Sequence, residues 1–438
     1  MTGKRMWWLL PLLAVGVWWL GYAGDANGVW PWRHEMLLLT GLLGMTYMAI
    51  SLLLALRLPQ LEVWCGGLDR MLRLHRQTAI GGALALTAHW LLVEAPKWAV
   101  SAGWLSRPAR RGASGVGAGV GAGAGAGSGN GISLHALGNT LGEWSFYLLI
   151  ALVVVSLLAL VSYGRFRLIH RLAPIIYLVG WGHGLCLLPQ VGAMTPVGVS
   201  IWLIGGIGAI GALYSLLGQV GARDRHPGRV IAVRALADQT CELTMQLERP
   251  LTHYRPGQFA FFEFDAKEGP HPFTLVRVSV DRRQLVIAVR ALGDHTRQLV
   301  AQARVGDGVV VTGPYGAFVA PQRGGRALWL GAGIGITPFV AWLESLAAQG
   351  GRGEGIALIQ CAPDMAGAVY HQRLAELCQR TGVSYQLHLD KAAGRLDLTR
   401  IARDAPEQVW FCGPEGMADA LTRLLPDGRL HRELFRFR

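Results

Sequence analysis

"HRQTAIGGALALTAH", residues 75–89, is an apolar run closed by a histidine at each end. It overlaps the apolar segment 77–95, whose length approaches the roughly 20 residues a helix needs to cross about 30 Å of hydrocarbon. Five more such segments stand at 7–23, 36–56, 144–163, 172–188 and 197–217, all before residue 221. The chain has 438 residues, 52% of them apolar and only 16% charged, which excludes a wholly soluble protein. From Arg223 onward the pattern changes to short alternating strands, turns and charged residues, a soluble half of ordinary composition. The sequence therefore predicts a six-span membrane domain over 1–220, the lipid bilayer being its first partner.

The net charge of +13 gathers at the ends of the apolar runs. Lys4 and Arg5 precede the first; Arg57, Arg70, Arg73 and Arg76 fill the second connection; Arg165, Arg167 and Arg171 fill the fourth; Arg223, Arg225 and Arg229 follow the sixth. With six spans these all lie on one side, and the positive-inside rule makes that side the cytosol. The expectation is an integral plasma (inner) membrane protein with cytosolic N- and C-termini and no nucleic-acid partner. Lys97, Arg107, Arg110 and Arg111 lie in the third connection, whose length reduces their weight in that rule. A cleaved signal peptide ending near Ala23 is a second reading of the first run. "GASGVGAGVGAGAGAGSGNG", 112–131, is a flexible outer loop rather than a span, because glycine disfavours helix and offers little apolar surface. The six cysteines form no C-x-x-C pair, so neither a zinc site nor a disulfide framework is indicated.

The opening pattern recurs in the fifth span, "HRLAPIIYLVGWGH", His170 to His183. At about 1.5 Å per residue each pair spreads over roughly 20 Å, one histidine near each leaflet. The third and fifth spans run in the same direction, so His75 faces His170 and His89 faces His183. Two imidazoles at one depth suit the two axial positions of a haem iron. Fourteen positions, 75 to 89, return an ideal helix to within about 40° of one face, whereas the 13 from 170 to 183 leave about 140°. The fifth span is thus expected to be distorted, with Pro174, Gly180 and Gly182 as the candidate irregularities. Polar residues at span ends are the bland alternative, and a histidine-lined metal transporter is another, although such a path would more naturally add carboxylates or thiols.

In the soluble half, "RVIAVRAL", "CELTMQLE", "QFAFFEF", "FTLVRVSV", "QLVIAVRAL" and "GVVVTGP" read as six strands of a small antiparallel β-barrel over 221–322. Residues 323–438 alternate strand and helix, as an α/β Rossmann-like nucleotide domain does. Within it "GAGIGITP", 331–338, is a strand end, a glycine turn and a helix start, where bare N–H groups meet a pyrophosphate. Thr337-Pro338 sets a helix-starting proline in the first turn.

With these pieces in this order, the chain resembles the ferric reductase and NADPH oxidase superfamily over nearly its whole length. The resemblance implies that "HPFT", 271–274, is the flavin motif: Thr274 near flavin N5, Phe273 against the isoalloxazine or ribityl part, and His271 near the diphosphate, with Pro272 completing the motif. It gives Arg290 and the turn from Gly293 to Thr296 to the FAD phosphates, and "GPYG", 313–316, to the link between domains. Gly331, Gly333, Gly335, Ile336, Thr337 and Pro338 match its NAD(P)-binding loop. In "FCGPEGM", 411–417, Cys412, Gly413 and Pro414 match the strand end beside the nicotinamide, and Phe437, with Phe435 second, matches the aromatic ring over the flavin. His75, His89, His170 and His183 are the implied iron ligands of two b-type haems.

Two departures limit the match. "IALIQCAPDM", 356–365, lacks the basic residue that commonly selects a 2′-phosphate and leaves Arg373 as a distant candidate, so NADH and NADPH both stay open. Val93 stands where superoxide-producing members tend to place a further histidine, although Arg33 remains for a haem propionate. The expected activity is electron transfer from cytosolic NAD(P)H through FAD and two haems to an extracytosolic acceptor, a ferric chelate first and oxygen second. The alternative is a haem-bearing subunit that feeds an extracytosolic partner reductase.

Overall fold

The computed structural model describes residues 9–22, 28–106, 133–157, 161, 163–237, 239–265, 268–321, 326–404, 406–426 and 428–433. The chain divides into two compact units, residues 1–57 with 73–220, and residues 58–72 with 221–438. Residues 58–72, from the second connection, cluster with the second unit.

The first unit is helical. Its elements are α1 (Leu9–Gly21) and α2 (Val29–Ala55), then, beyond the short α3 (Pro59–Cys65), the greater part of α4 (Leu68–Ser101), α5 (Leu134–Leu157), α6 (Tyr163–His170), α7 (Ala173–Val191) and α8 (Pro196–Leu216). Among the described residues, five helices are long and apolar enough to cross a membrane, α6 and α7 counting as one, while α1 covers 13 residues of the expected first span. Small residues bring the helices together, as they do where lipid supplies no hydrophobic drive between helices. On α8, Gly205 and Gly208 leave room for Trp181 and Tyr177 of α7, whose polar atoms donate to the backbone carbonyls of Ile201 (3.0 Å) and Gly205 (3.1 Å). Leu84, Leu148, Leu203, Ile207 and Ile210 stay exposed, the apolar outer surface a bilayer would cover.

The fifth span is broken. The α-helix stops at His170 and a new one starts at Ala173, with Pro174 in its first turn, where the missing N–H costs nothing. This irregularity sits at the proline, and Gly180 and Gly182 lie inside regular helix.

The second unit holds a closed antiparallel barrel and a parallel sheet. The barrel strands are β1 (Arg225–Ala237), β2 (Thr240–Leu247), β3 (Phe259–Glu263), β4 (His271–Val278), β5 (Gln284–Arg290) and β6 (Gly308–Tyr315), closing in the order β1-β2-β5-β4-β3-β6. Each falls on one of the six runs read from the sequence. Alternation places Leu243, Met245, Phe262, Leu275, Ile287 and Val311 in the barrel core. A helix, α9 (Asp294–Gln302), follows β5.

The sheet has β7 (Ala327–Ala332), β8 (Ile356–Ala362), β9 (Ser384–Leu389), β10 (Gln408–Cys412) and β11 (Leu430–Arg432), all parallel, in the order β11-β10-β7-β8-β9. The helices are α10 (Thr337–Ala348), α11 (His371–Thr381), α12 (Asp390–Ala393), α13 (Leu398–Asp404) and α14 (Glu415–Leu424). The chain leaves β7 toward β8 and β9 and returns to build β10 and β11 on the other side. The crevice between the carboxyl ends of β7 and β10 is the switch point, where open α/β sheets take their ligands.

Trp342 of α10 anchors this half. It is 1% exposed, stacks on Phe318 at 5.0 Å, meets Trp329 and Trp410 edge-on, and donates from Nε1 to Pro256 O at 3.0 Å. Trp342→Ala should destabilise the second unit by about 3–5 kcal/mol, the range for deleting a large buried ring. Urea unfolding of the purified full chain, followed by tryptophan fluorescence and limited proteolysis, measures it; a midpoint equal to the parent's would refute the anchor.

Candidate functional site

The four histidines of the first unit form two pairs. His75 and His170 have ring centres 6.0 Å apart and planes at 81°; His89 and His183 stand at 6.3 Å and 81°. Three of the rings are oriented by backbone carbonyls: His75 Nδ1 lies 2.8 Å from Ser51 O, His89 Nδ1 3.0 Å from Leu37 O and His183 Nδ1 2.8 Å from Gly138 O. A carbonyl only accepts, so Nδ1 carries the proton in each and Nε2 keeps its lone pair, the orientation that ligating histidines show. His170 Nδ1 has no hydrogen-bond partner among the described residues.

Glycine makes room for the second pair. A Cβ on Gly142 would lie 2.6 Å from His183 Nδ1, and one on Gly41 3.2 Å from His89 Cε1. Arg33 donates from Nε to Leu92 O at 2.6 Å.

These pairs fit a haem. Two ring nitrogens each about 2 Å from one iron stand about 4 Å apart, which sets the ring centres about 6 Å apart. Among the described residues no third histidine, cysteine or carboxylate joins either pair within ligand range. A bare transported cation would be poorly held by two imidazoles alone.

In the second unit, the HPFT tetrad begins β4 and pairs with β3, Thr274 opposite Phe259 and His271 opposite Phe262. Strand alternation splits it between two faces. Phe273 packs on the barrel core, its ring 5.9 Å from Phe262. Thr274 is buried on the other face, the face of Val276, which joins the core under the parallel sheet. His271 stacks on His295 at 3.7 Å with planes 8° apart, beside Glu268. Sequence reading passed over His295, whose only signal was its place inside the phosphate turn. Burial lowers the His295 imidazole from its ordinary value, which the carboxylates of Glu268 and Asp265 oppose.

Gly293 precedes α9, and the N–H groups of Leu292 and Gly293 both donate to Thr296 Oγ1, at 2.9 and 3.0 Å. The turn's own hydroxyl thus takes two of its donors, and the first-turn N–H groups of α9, like those of any helix, have no intrahelical acceptor.

After β7 the loop runs Gly333-Ile334-Gly335-Ile336 as a short 3₁₀ turn into Thr337 and Pro338 of α10. A Cβ on Gly335 would lie 2.3 Å from Cys412 O, so only glycine lets this loop touch the end of β10. A Cβ on Gly333 would sit 3.2 Å from Arg290 Nη1, which brings the barrel's arginine to the nucleotide loop. Gly331 is similarly close to Ile336 at 2.7 Å, and Gly413, ahead of Pro414, to Ala332 at 2.8 Å. The bare loop, the arginine and the first-turn N–H groups are the parts a dinucleotide's phosphates require.

Cys412 is 2% exposed at the end of β10. Burial pushes its thiol well above its ordinary value, and the Glu433 carboxyl adds to this. Glu433, which sequence reading did not single out, is 5% exposed, its Oε2 has no hydrogen-bond partner among the described residues, and burial, with Asp69, drives it well above the carboxylate range. Arg373 is ion-paired with Glu344 (3.3 Å) and Glu376 (3.5 Å). Phe435 and Phe437 lie outside the described residues.

Residues 40–181 match the family model of the ferric reductase like transmembrane component, and residues 226–319 that of an FAD-binding domain. The chain is similar to an NADPH oxidoreductase of Mycobacterium tuberculosis, 29% identical over 226 residues, which cover 48% of this chain and 59% of that protein. It is similar also to the electron transfer subunit of dihydroorotate dehydrogenase B (NAD(+)) from Bacillus caldolyticus, 29% identical over 212 residues, 47% of this chain and 80% of that one. Among solved structures, the Amycolatopsis cytochrome P450 reductase GcoB shares 25% identity at a TM-score of 0.43, covering 48% of this chain and 69% of that chain.

Since the thiolate is the reactive form, a raised Cys412 thiol implies slow alkylation. At pH 8, maleimide should modify Cys412 at least about 100-fold more slowly than a free cysteine, with full reaction after denaturation. Peptide mass spectrometry of the folded chain reads this, and rapid labelling at 412 would contradict the burial.

Proposed function

The chain belongs to the ferric reductase and NADPH oxidase superfamily, and from that premise we propose that it carries electrons from cytosolic NAD(P)H to an acceptor on the far face of a membrane. When bound, FAD supplies the hydride-accepting chemistry that haem lacks, and two b-type haems supply one-electron transfer through the apolar layer. The acceptor is a ferric chelate in the first place and oxygen in the second. The observation that carries the reading is the pair of histidine pairs, held at two levels of the same two spans in a chain that also matches an FAD-binding domain.

In this reading His75 and His170 hold the haem nearer the cytosol and His89 and His183 the outer one, with six spans and both termini cytosolic. The carbonyls of Ser51, Leu37 and Gly138 fix the ring orientations. Thr274 offers its hydroxyl to the flavin ring, while His271, Arg290 and the first turn of α9 receive the diphosphate. The loop from Gly331 to Pro338 takes the nicotinamide nucleotide's phosphates, and Cys412, Gly413 and Pro414 border the nicotinamide. The buried, neutral Cys412 thiol offers a small apolar wall there rather than a nucleophile.

A reduced-minus-oxidised absorption spectrum of the purified chain should show b-type haem bands, and their absence in a fully loaded preparation would overturn the proposal. In sealed vesicles, His89→Leu should lose reduction of an impermeant outer acceptor while keeping dye reduction and a reducible inner haem. His75→Leu should keep dye reduction only. Parental outer-acceptor rates in His89→Leu would refute this path. Thr274→Val should slow flavin reduction in stopped flow about fivefold, the equivalent of one hydrogen bond of about 1 kcal/mol, with FAD retained.

A further inference from the structure

Gly316 is a crowded backbone position of the second unit. Its φ is +104°, a region that favours glycine, and a Cβ there would lie 3.0 Å from the Phe259 ring and 3.1 Å from Glu433 Oε1. Phe259 is the ladder partner of Thr274, and Glu433 lies beside Cys412. The peptide is held on both sides. Its C=O accepts from Gln258 Nε2 at 3.0 Å, and its N–H donates to Glu62 Oε1 at 2.8 Å.

Glu62 comes from α3, 254 positions earlier in the chain and within the same compact unit. It is built in: Cys65, Leu68 and Met71 of its segment are 7%, 0% and 0% exposed, and a Cβ on Gly67 would stand 3.2 Å from that of Ala317. Burial pushes the Glu62 carboxyl up, while the N–H groups of Gly316 and Leu68 hold it down. The contact continues into the flavin strand. Gln258 Oε1 accepts from Arg255 N at 2.8 Å, and Gln258 O accepts from Leu275 N at 3.0 Å, the residue after Thr274.

We propose that Glu62 is a positioning residue of the reductase unit, which fixes the Gly316 peptide and through it the relative placement of Thr274 and Cys412. This rests on the reading that the flavin lies along the HPFT strand. The sequence places Glu62 between two apolar runs, six residues before α4 begins, so a side chain far from the flavin strand in sequence but in the same compact unit completes the setting in which hydride would move. Removing it frees one peptide; the substrate and flavin contacts remain, so the effect falls on alignment rather than on affinity.

The test uses the full chain in detergent as parent, Glu62→Ala, Glu62→Gln and Glu62→Asp. Amide exchange at Gly316 should quicken at least about tenfold in Glu62→Ala and in Glu62→Asp, which is one methylene too short to reach, and stay near the parent in Glu62→Gln. Strands β2 and β5 should keep their protection in all four. In stopped flow, the limiting rate of flavin reduction should fall about tenfold in the Ala and Asp variants with the apparent affinity for nicotinamide nucleotide within about twofold, and Gln should restore it. Parental exchange at Gly316 in Glu62→Ala, or in Glu62→Asp if the Ala chain does not accumulate, overturns the contact. Faster exchange with an unchanged limiting rate overturns the positioning role. Exchange is read without flavin, so a parent that binds no FAD would defeat the flavin reading separately.

Discussion

A polar atom inside a bilayer has no water to turn to, and every imidazole placed there must find its partners in the protein. The first unit is organised around that requirement. Three of its four paired histidines give Nδ1–H to a carbonyl of a neighbouring helix, which spends one nitrogen on the fold and leaves the other its lone pair. The surrounding small residues serve the same end. Gly41 and Gly142 let helices close onto the His89 and His183 rings, and the α8 glycines seat the aromatic residues that tie α7 in place. The histidines are costly in the membrane unless something lies between each pair, and the spacing of about 6 Å is the spacing an iron fills.

Close backbone approach governs the second unit in the same way. Gly335 against Cys412 and Gly316 against Phe259 are positions where a methyl group would push two elements apart. They are the points at which the phosphate loop meets β10 and the end of β6 meets β3. What would bind between them would be held by backbone, with Arg290 reaching the loop from the barrel.

Much of this was legible from residue pattern. The six barrel strands follow from alternation between turns, the long helices from apolar length, and the register of the histidine pairs from the direction of alternate spans. Even the fault in the fifth span was implied by 13 residues being the wrong count for one face, although the sequence could not choose between Pro174 and the two glycines. Glu62, Glu433 and His295 were not legible. Each is an ordinary charged or polar residue in a short segment without period, and its meaning comes from a partner that is distant in sequence, 254 positions away for Glu62. The division of the tetrad between two faces was available from period two, but the motif read as a unit concealed it.

The break at Arg171–Leu172 makes the two histidine-bearing helices unequal as rulers. In α4 the two histidines share one uninterrupted screw, so a one-residue insertion between them would turn one by about 100° relative to the other. On the other side His170 closes its own short helix and His183 rides on the next. The hinge absorbs rotation that the helix cannot, so evolution has a free hand with the level and tilt of one ring without disturbing the other. The redox properties of two adjacent centres in such a frame would be adjustable one at a time, with α4 as the fixed scale and the broken helix as the vernier.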